Sequence, residues 1–317
     1  MKDADITPVE ENTSRVNNRI RQIAWTVICL LVVFSLWLGS GYLQWGQNEM
    51  EEARQQKELA VLYEQVNPPD GFTLSVSYGD FGPRLIEAGV IDYDAFAAIY
   101  ENSGKPLSTE QIEILKNGSD GEIVIDADNA HFLLNFFWAV GLANQNSILT
   151  EGPMVQNSDG QVERFASTGG WSLATKPVTE FYARMDLIRL TAEQQKLVEE
   201  VAAGIYRPCC NNHTLFPDCN HGMAMLGVLQ LMGSKGATAE EMFEAAKYIN
   251  VYWFPQQTLE TAIYLQLNEN VDFREADAKL VVSEKFSASS GASMVHEDLQ
   301  AKGLLKQAPG QGGSCAN

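Results

Sequence analysis

The residue types best suited to chemistry are concentrated in one short segment of the chain. Three of the five cysteines and two of the four histidines lie within residues 209–221. They follow the pattern C-C-x2-H-x5-C-x-H, formed by Cys209, Cys210, His213, Cys219 and His221. Zinc binds thiolate and imidazole in Cys3His and Cys2His2 sets, and copper(I) accepts the same donors. We name this segment the Cys/His box, and its composition predicts a site for one zinc or copper ion.

A tetrahedral ion takes four ligands, so the box contains one donor too many. Adjacent cysteine side chains point in diverging directions in most backbone conformations. For that reason we favour Cys210, His213, Cys219 and His221 as the ligand set. Cys209 then either replaces a histidine or remains unbound.

Two predicted helices position the box. A capping box that begins at Thr191 opens the first helix, which ends at Arg207-Pro208. The second helix opens at Pro217 or Asp218 and carries Cys219 in its first turn, where backbone amides and the helix dipole favour a thiolate. The resulting helix–loop–helix unit brings the five donors together.

Two methionines on the second predicted helix are further donors if the metal is copper. Met223 and Met225 follow the box directly. Their helical spacing to Leu226 and Leu229, however, favours packing in the core.

The box is also compatible with two alternative functions, thiol oxidoreduction and a purely structural role. A thiol oxidoreductase would use Cys209-Cys210 or Cys219 as nucleophile, activated by His221 or by the helix N-terminus. A structural interaction module would use zinc only to hold two helices together. Disulfides alone would leave both histidines unexplained. The chain has no C-x-x-C, H-E-x-x-H, G-x-S-x-G or P-loop motif, and this favours a role other than catalysis.

Residues 208–252 resemble the exported bacterial lipoproteins that are named for a Pro-Cys-Tyr-Cys-Gly-Cys motif. The resemblance lies in Pro208-Cys209-Cys210, the histidine shortly after them, Asp218-Cys219 at a helix start, and the helix from Gly236 that carries Tyr248 and Tyr252. The alternating cysteines and the lipid-attachment cysteine of that family are missing. The resemblance implies metal handling by Cys209, Cys210, His213 and Cys219.

The N-terminal part of the chain predicts a membrane anchor. Residues 23–45 contain no formal charge, and a helix of that length spans about 34 Å, enough to cross a bilayer. Arg15, Arg19 and Arg21 precede the segment, which predicts a cytoplasmic N-terminus and an extracytoplasmic main domain. A cleaved signal peptide is the alternative, but no A-x-A site follows the apolar run.

The charge of the chain excludes one class of partner. The net charge is −19, and the first 45 residues contain four basic and four acidic side chains, so the excess negative charge belongs to the remainder. An acidic surface repels phosphate backbones, and we expect no nucleic-acid binding.

The expected fold is mainly α, with minor strands near residues 121–125 and 160–173. A very apolar helix over residues 129–144 is the expected centre of the core. The predicted order is a cytoplasmic N-terminus (1–21), a transmembrane anchor (22–45), a helical stalk (46–69), a helical subdomain (70–150), a loop or hairpin linker (151–175), a helical subdomain with the Cys/His box (176–300) and a flexible tail (301–317).

Overall fold

The structure is a computed structural model that describes residues 46–47, 49–50, 53–54, 57, 61–64 and 66–305. The chain divides into two compact units, residues 1–61 and residues 62–317. The described residues of the first unit are helical. Among the described residues, no helix is long and apolar enough to cross a membrane. The predicted anchor at 22–45 and residues 306–317 of the predicted tail lie outside the described residues.

The second unit is mainly helical with a small antiparallel sheet, as the sequence predicts at this level. Single turns of 3-10 helix lie at Val162–Arg164 and Val178–Glu180, and a π-helical turn lies at Leu265–Glu269. In chain order, the strands and α-helices are β1 (Phe72–Gly79), α1 (Phe81–Glu87), α2 (Tyr93–Asn102), α3 (Thr109–Asn117), β2 (Ser119–Ile125), α4 (Ala130–Ala143), α5 (Ser147–Thr150), α6 (Pro153–Gln156), α7 (Ala166–Gly169), α8 (Ala192–Gly204), α9 (Asn220–Ser234), α10 (Ala239–Trp253), α11 (Pro255–Tyr264), α12 (Ala278–Val281), α13 (Glu284–Ser287) and α14 (Ser289–Ala301).

The sheet confirms one predicted strand and corrects the other. β2 includes the predicted strand at 121–125, and it pairs with β1, so that Phe72 lies opposite Ile125. The strand predicted near 160–173 is wrong, because this segment forms the turn at Val162–Arg164 and helix α7. Trp171 then turns inward and donates a hydrogen bond to the carbonyl of Val90 at 2.8 Å. Local helical hydrogen bonds satisfy the backbone groups of this segment, and the buried Trp171 side chain holds it in place, so that it needs no strand partner.

Capping boxes begin three of the helices. The N-cap residues are Ser108, Thr191 and Thr238. The side-chain oxygen of each accepts a hydrogen bond from the backbone amide of the third helix residue, and the backbone amide of each donates a hydrogen bond to the side chain of that same residue. These contacts satisfy amide groups that would otherwise have no partner at a helix start. The helix start predicted at Thr191 is confirmed, and the sequences Ser108-x-x-Gln111 and Thr238-x-x-Glu241 carry the same signature and predict the other two starts.

The core of the second unit forms around α4 and α9. Every residue of α4 except His131 is buried, as expected for the central element. The two helices approach so closely that a methyl group on Gly227 would lie 2.7 Å from the carbonyl oxygen of Phe137. One hydrophobic cluster includes residues on both sides of the predicted linker, from Leu74 to Val282. The start of α9 is therefore fixed against the centre of the unit, and the Cys/His box leads directly into it.

Candidate metal centre

The segment between α8 and α9 folds back onto the helix that precedes it. The amide of Thr214 donates to the carbonyl of Ile205 at 2.8 Å, and the amide of Leu215 donates to Ala202 at 3.1 Å. On its other side, the amide of Ser289 at the start of α14 donates to the carbonyl of Cys210 at 3.0 Å. Backbone hydrogen bonds thus hold the loop from both sides.

Cys219 is the N-cap of α9, one residue after Asp218 and two after Pro217, the two predicted openings of this helix. Its sulfur accepts a hydrogen bond from the amide of Gly222 at 3.4 Å. The side chain is 8% exposed. A sulfur in this position faces the unpaired amides and the positive end of the helix dipole, both of which favour a thiolate.

Three donors of the box converge on one point. One ligand atom from each of Cys209, Cys219 and His221 lies within 4.8 Å of the other two. The sulfurs of Cys209 and Cys219 are 3.6 Å apart. This set of two thiols and one imidazole has the donor chemistry of a zinc site, and we name it the Cys2His group.

In a second set, formed by Cys210, Asp218 and Cys219, the ligand atoms also lie within 4.8 Å of one another. It shares Cys219 with the Cys2His group, but a cation already lies within it. The Arg207 guanidinium donates from Nε to the Cys219 sulfur at 3.1 Å and from one terminal nitrogen to the Asp218 carboxylate at 2.9 Å. The guanidinium thus contacts two of the three donors of this set but only Cys219 of the Cys2His group, so a metal ion would meet less repulsion in the Cys2His group.

Arg207 is the structural centre of the box. The residue is 1% exposed, and its guanidinium also donates to the backbone carbonyls of Asn212 at 2.8 Å and Phe216 at 3.2 Å. Burial alone would lower the pKa of Arg207, but the nearby sulfurs, above all Cys219, raise it above its ordinary value. The guanidinium lies against Gly222, where any side chain would overlap it. Arg207 thereby connects the loop to the first turn of α9.

The electrostatics of the box favour one thiolate in particular. The thiols of Cys209 and Cys210 lower the pKa of Cys219 far below the ordinary value, and Arg207 and His221 lower it further against the opposing effect of burial. The pKa of Cys209 moves in the other direction, because its thiol interacts with the two neighbouring sulfurs and is itself desolvated. The electrostatics thus favour a thiolate at Cys219 over one at Cys209.

His221 lies in an aromatic environment at the side of the group. Its ring is 4.5 Å from the ring of Phe254 and 5.6 Å from that of Trp253, between centroids. Its Nδ1 atom is buried and has no hydrogen-bond partner within the described residues. A buried imidazole nitrogen without a partner is unfavourable, but Nδ1 of His213 is in the same situation, and only His221 lies within 4.8 Å of the Cys209 and Cys219 sulfurs.

Two donors predicted from the sequence are not members of the Cys2His group, although the sulfur of Cys210 lies within 4.8 Å of that of Cys219. The sulfur of Cys210 lies 4.0 Å from the Asp218 carboxylate, on the Arg207 side of the box. His213 belongs to neither set of converging donors; its ring packs edge-on against Tyr206 at 5.8 Å, and burial lowers its pKa. The side chains of Met223 and Met225 are buried in the main hydrophobic cluster, as their helical spacing predicts.

Sequence reasoning missed two residues of the site. From the sequence, Arg207 marks only a helix end and Asp218 only a helix start, whereas in the structure they form an ion pair at 2.9 Å. The available signal was their position, because Asp218 directly precedes Cys219 and Arg207 lies two residues before Cys209. A buried ion pair next to thiols indicates a site in which a nearby cation, here Arg207, stabilises the negative charge of a thiolate.

The chain matches no protein-family model, and comparison with the curated proteins and the solved structures gives no match either.

Proposed function

We propose that this protein is a membrane-anchored, extracytoplasmic protein that binds one zinc ion through Cys209, Cys219 and His221. The observation that carries the proposal is the 3.6 Å distance between the two sulfurs, with His221 in reach of both. Two thiolates on a tetrahedral zinc ion, each at about 2.3 Å, are separated by about 3.8 Å. The observed distance between the two sulfurs is thus close to the one that the ion requires.

Charge balance favours zinc over copper(I) as the ion. The positive charge of Arg207 is already balanced by the carboxylate of Asp218, with which it forms an ion pair. Two thiolates and a neutral imidazole then need two positive charges for the buried group to be neutral, which Zn²⁺ supplies and Cu⁺ does not. The thioethers of Met223 and Met225, which would suit copper, are 0% and 2% exposed within the core.

Three protein ligands leave the fourth position of a tetrahedral ion available. Zinc sites with a structural role are usually closed by four protein ligands, whereas sites that exchange ligands or take part in chemistry keep one position open. The Cys2His group therefore favours an exchangeable ion over a purely structural one. The uncharged segment 23–45 with its basic flank supports the membrane-anchored location.

Metal analysis of the full-length chain, kept in detergent and purified under reducing conditions, tests the proposal. We expect close to one zinc per chain, and less than a tenth of that in Cys219→Ser. Cys210→Ser and His213→Gln are the matched variants, and both should retain the metal because neither residue belongs to the Cys2His group. Circular dichroism of each variant establishes that it is folded. Absence of stoichiometric metal from the unmutated protein would refute the proposal.

A thiol oxidoreductase is the second candidate function, and the proximity of a stabilised Cys219 thiolate to Cys209 favours it. Such an enzyme would bind no metal and would reduce a small disulfide in repeated turnovers with a thiol reductant. Turnover by metal-free protein that is lost in both Cys209→Ser and Cys219→Ser would support this function over metal binding.

A further inference from the structure

Two of the three proposed metal ligands are placed so that they can bond to each other. The sulfurs of Cys209 and Cys219 are 3.6 Å apart and both cysteines are free. A disulfide has a sulfur–sulfur distance of about 2.05 Å, so the two atoms need to approach by only about 1.5 Å. The two residues come from different local structures, a turn and a helix start.

The two sulfurs differ in what holds them. Cys219 is fixed by the amide of Gly222, by the guanidinium of Arg207 at 3.1 Å and by its place at the start of α9. Cys209 lies in a turn, and its sulfur contacts the sulfur of Cys219. Its side chain is partly exposed, while that of Cys219 is buried. An oxidant from solution therefore meets Cys209 first.

We propose that the metal centre is gated by oxidation: a small-molecule disulfide converts Cys209 and Cys219 into a disulfide and thereby releases the ion. This inference rests on the proposed zinc binding. In the first step the sulfur of Cys209 attacks one sulfur of the small disulfide, whose S–S bond breaks and releases one thiolate. In the second step the Cys219 thiolate attacks the Cys209 sulfur of the mixed disulfide and expels the other thiolate.

The step balances without any further reactant. The two protein thiolates lose two electrons, the small disulfide gains them, and the released thiolates take protons from water. The zinc ion leaves because His221 alone remains of its protein ligands. Its charge does not change, because the two electrons come from the sulfurs. Reduction of the Cys209–Cys219 bond by a thiol restores both donors, so the gate is reversible.

Treatment of the zinc-loaded full-length chain with oxidised glutathione, in the absence of air, tests the gate. Released zinc is measured with a chromogenic chelator, and the disulfide is located by peptide mapping. We expect one zinc released for each Cys209–Cys219 bond formed, and recovery of binding after reduction. His213→Gln is the matched control and should release zinc to the same extent, because His213 belongs to neither set of converging donors.

The outcomes separate this inference from the proposed function. A chain that binds no zinc before treatment refutes the metal proposal and the gate with it. A chain that binds zinc and retains it during oxidation overturns only the gate. Release of zinc accompanied by a bond between other cysteines, such as Cys209–Cys210, also overturns the gate and leaves zinc binding intact.

Discussion

Arg207 is a buried cation whose polar partners all belong to the loop and the cysteines around it. A guanidinium removed from water is costly by several kcal/mol unless its hydrogen-bonding groups are satisfied. Here the Asp218 carboxylate, the Cys219 sulfur and two backbone carbonyls satisfy it. The residue thus links the folding of the loop to the placement of the Cys219 thiolate.

Removing the charge of Arg207 should destabilise the whole box. In Arg207→Gln, the Asp218 carboxylate and the Cys219 thiolate lose their cationic partner, and breaking such a buried pair costs about 3 kcal/mol or more. We expect a loss of that size in the free energy of unfolding, measured by denaturant titration, together with weaker zinc binding.

Arg189→Gln is the matched control for this substitution. Arg189 also forms an ion pair with an aspartate, Asp186, but its side chain is 86% exposed. Since exposed pairs contribute little, this variant should unfold as the unmutated protein does. Equal effects of the two substitutions would contradict the central role of Arg207.

At the residue scale, the position of the site is predictable from the sequence, but the donors that converge within it are not. The density of scarce donors alone identifies residues 209–221. The favoured set included Cys210 and His213, whereas the structure brings Cys209 together with Cys219 and His221. Which of two adjacent cysteines faces the site depends on backbone torsions fixed by the loop's hydrogen bonds and by Arg207, and these do not follow from the spacing of the cysteines.

At the scale of elements, the contact between α4 and α9 fixes the helix that carries Cys219 and His221. Both partners contribute a glycine where the helices cross, Gly141 and Gly227, and a methyl group on either would meet the backbone of the other helix. The absence of side chains allows the two backbones to approach closely.

Substitution of one of these glycines should separate the two helices. We expect Gly227→Ala to lower the free energy of unfolding by about 1–3 kcal/mol, as overpacking of a core does, although alanine is the better helix former. Gly46→Ala is the control, because Gly46 is also helical and an added methyl group there meets nothing within 4 Å. Thermal unfolding of the two variants checks this expectation; an unchanged stability in Gly227→Ala would show that the contact is loose.

The helices were predictable where their signals are local. Capping boxes lie within four residues, so the starts of α3, α8 and α10 follow from the sequence. β1 was missed although Leu74, Val76 and Tyr78 alternate and are buried, because a strand also needs a partner distant in sequence. The segment 160–173 gave the opposite error, since its glycines suggested a hairpin turn whereas contacts with distant residues hold it in short helical turns.

At the scale of the whole molecule, the predicted anchor and the negative charge belong to different parts of the chain. The first 45 residues are neutral in sum, and the net charge of −19 belongs to the residues that follow. An acidic main domain attracts cations to its surroundings, which suits a protein that binds a divalent ion. The donors of the Cys2His group are two thiols and an imidazole, so that an ion bound there would be selected by ligand chemistry and not by charge alone.

X-ray absorption spectroscopy of the zinc-loaded full-length chain tests the central claim most directly. The Cys2His group predicts a first shell with two sulfur ligands at about 2.3 Å and one imidazole nitrogen at about 2.0–2.1 Å, completed by one light ligand. The same measurement on Cys210→Ser should give an unchanged spectrum. A first shell without sulfur, or one in which Cys210→Ser removes a sulfur ligand, would contradict the assignment of Cys209, Cys219 and His221 as the metal centre.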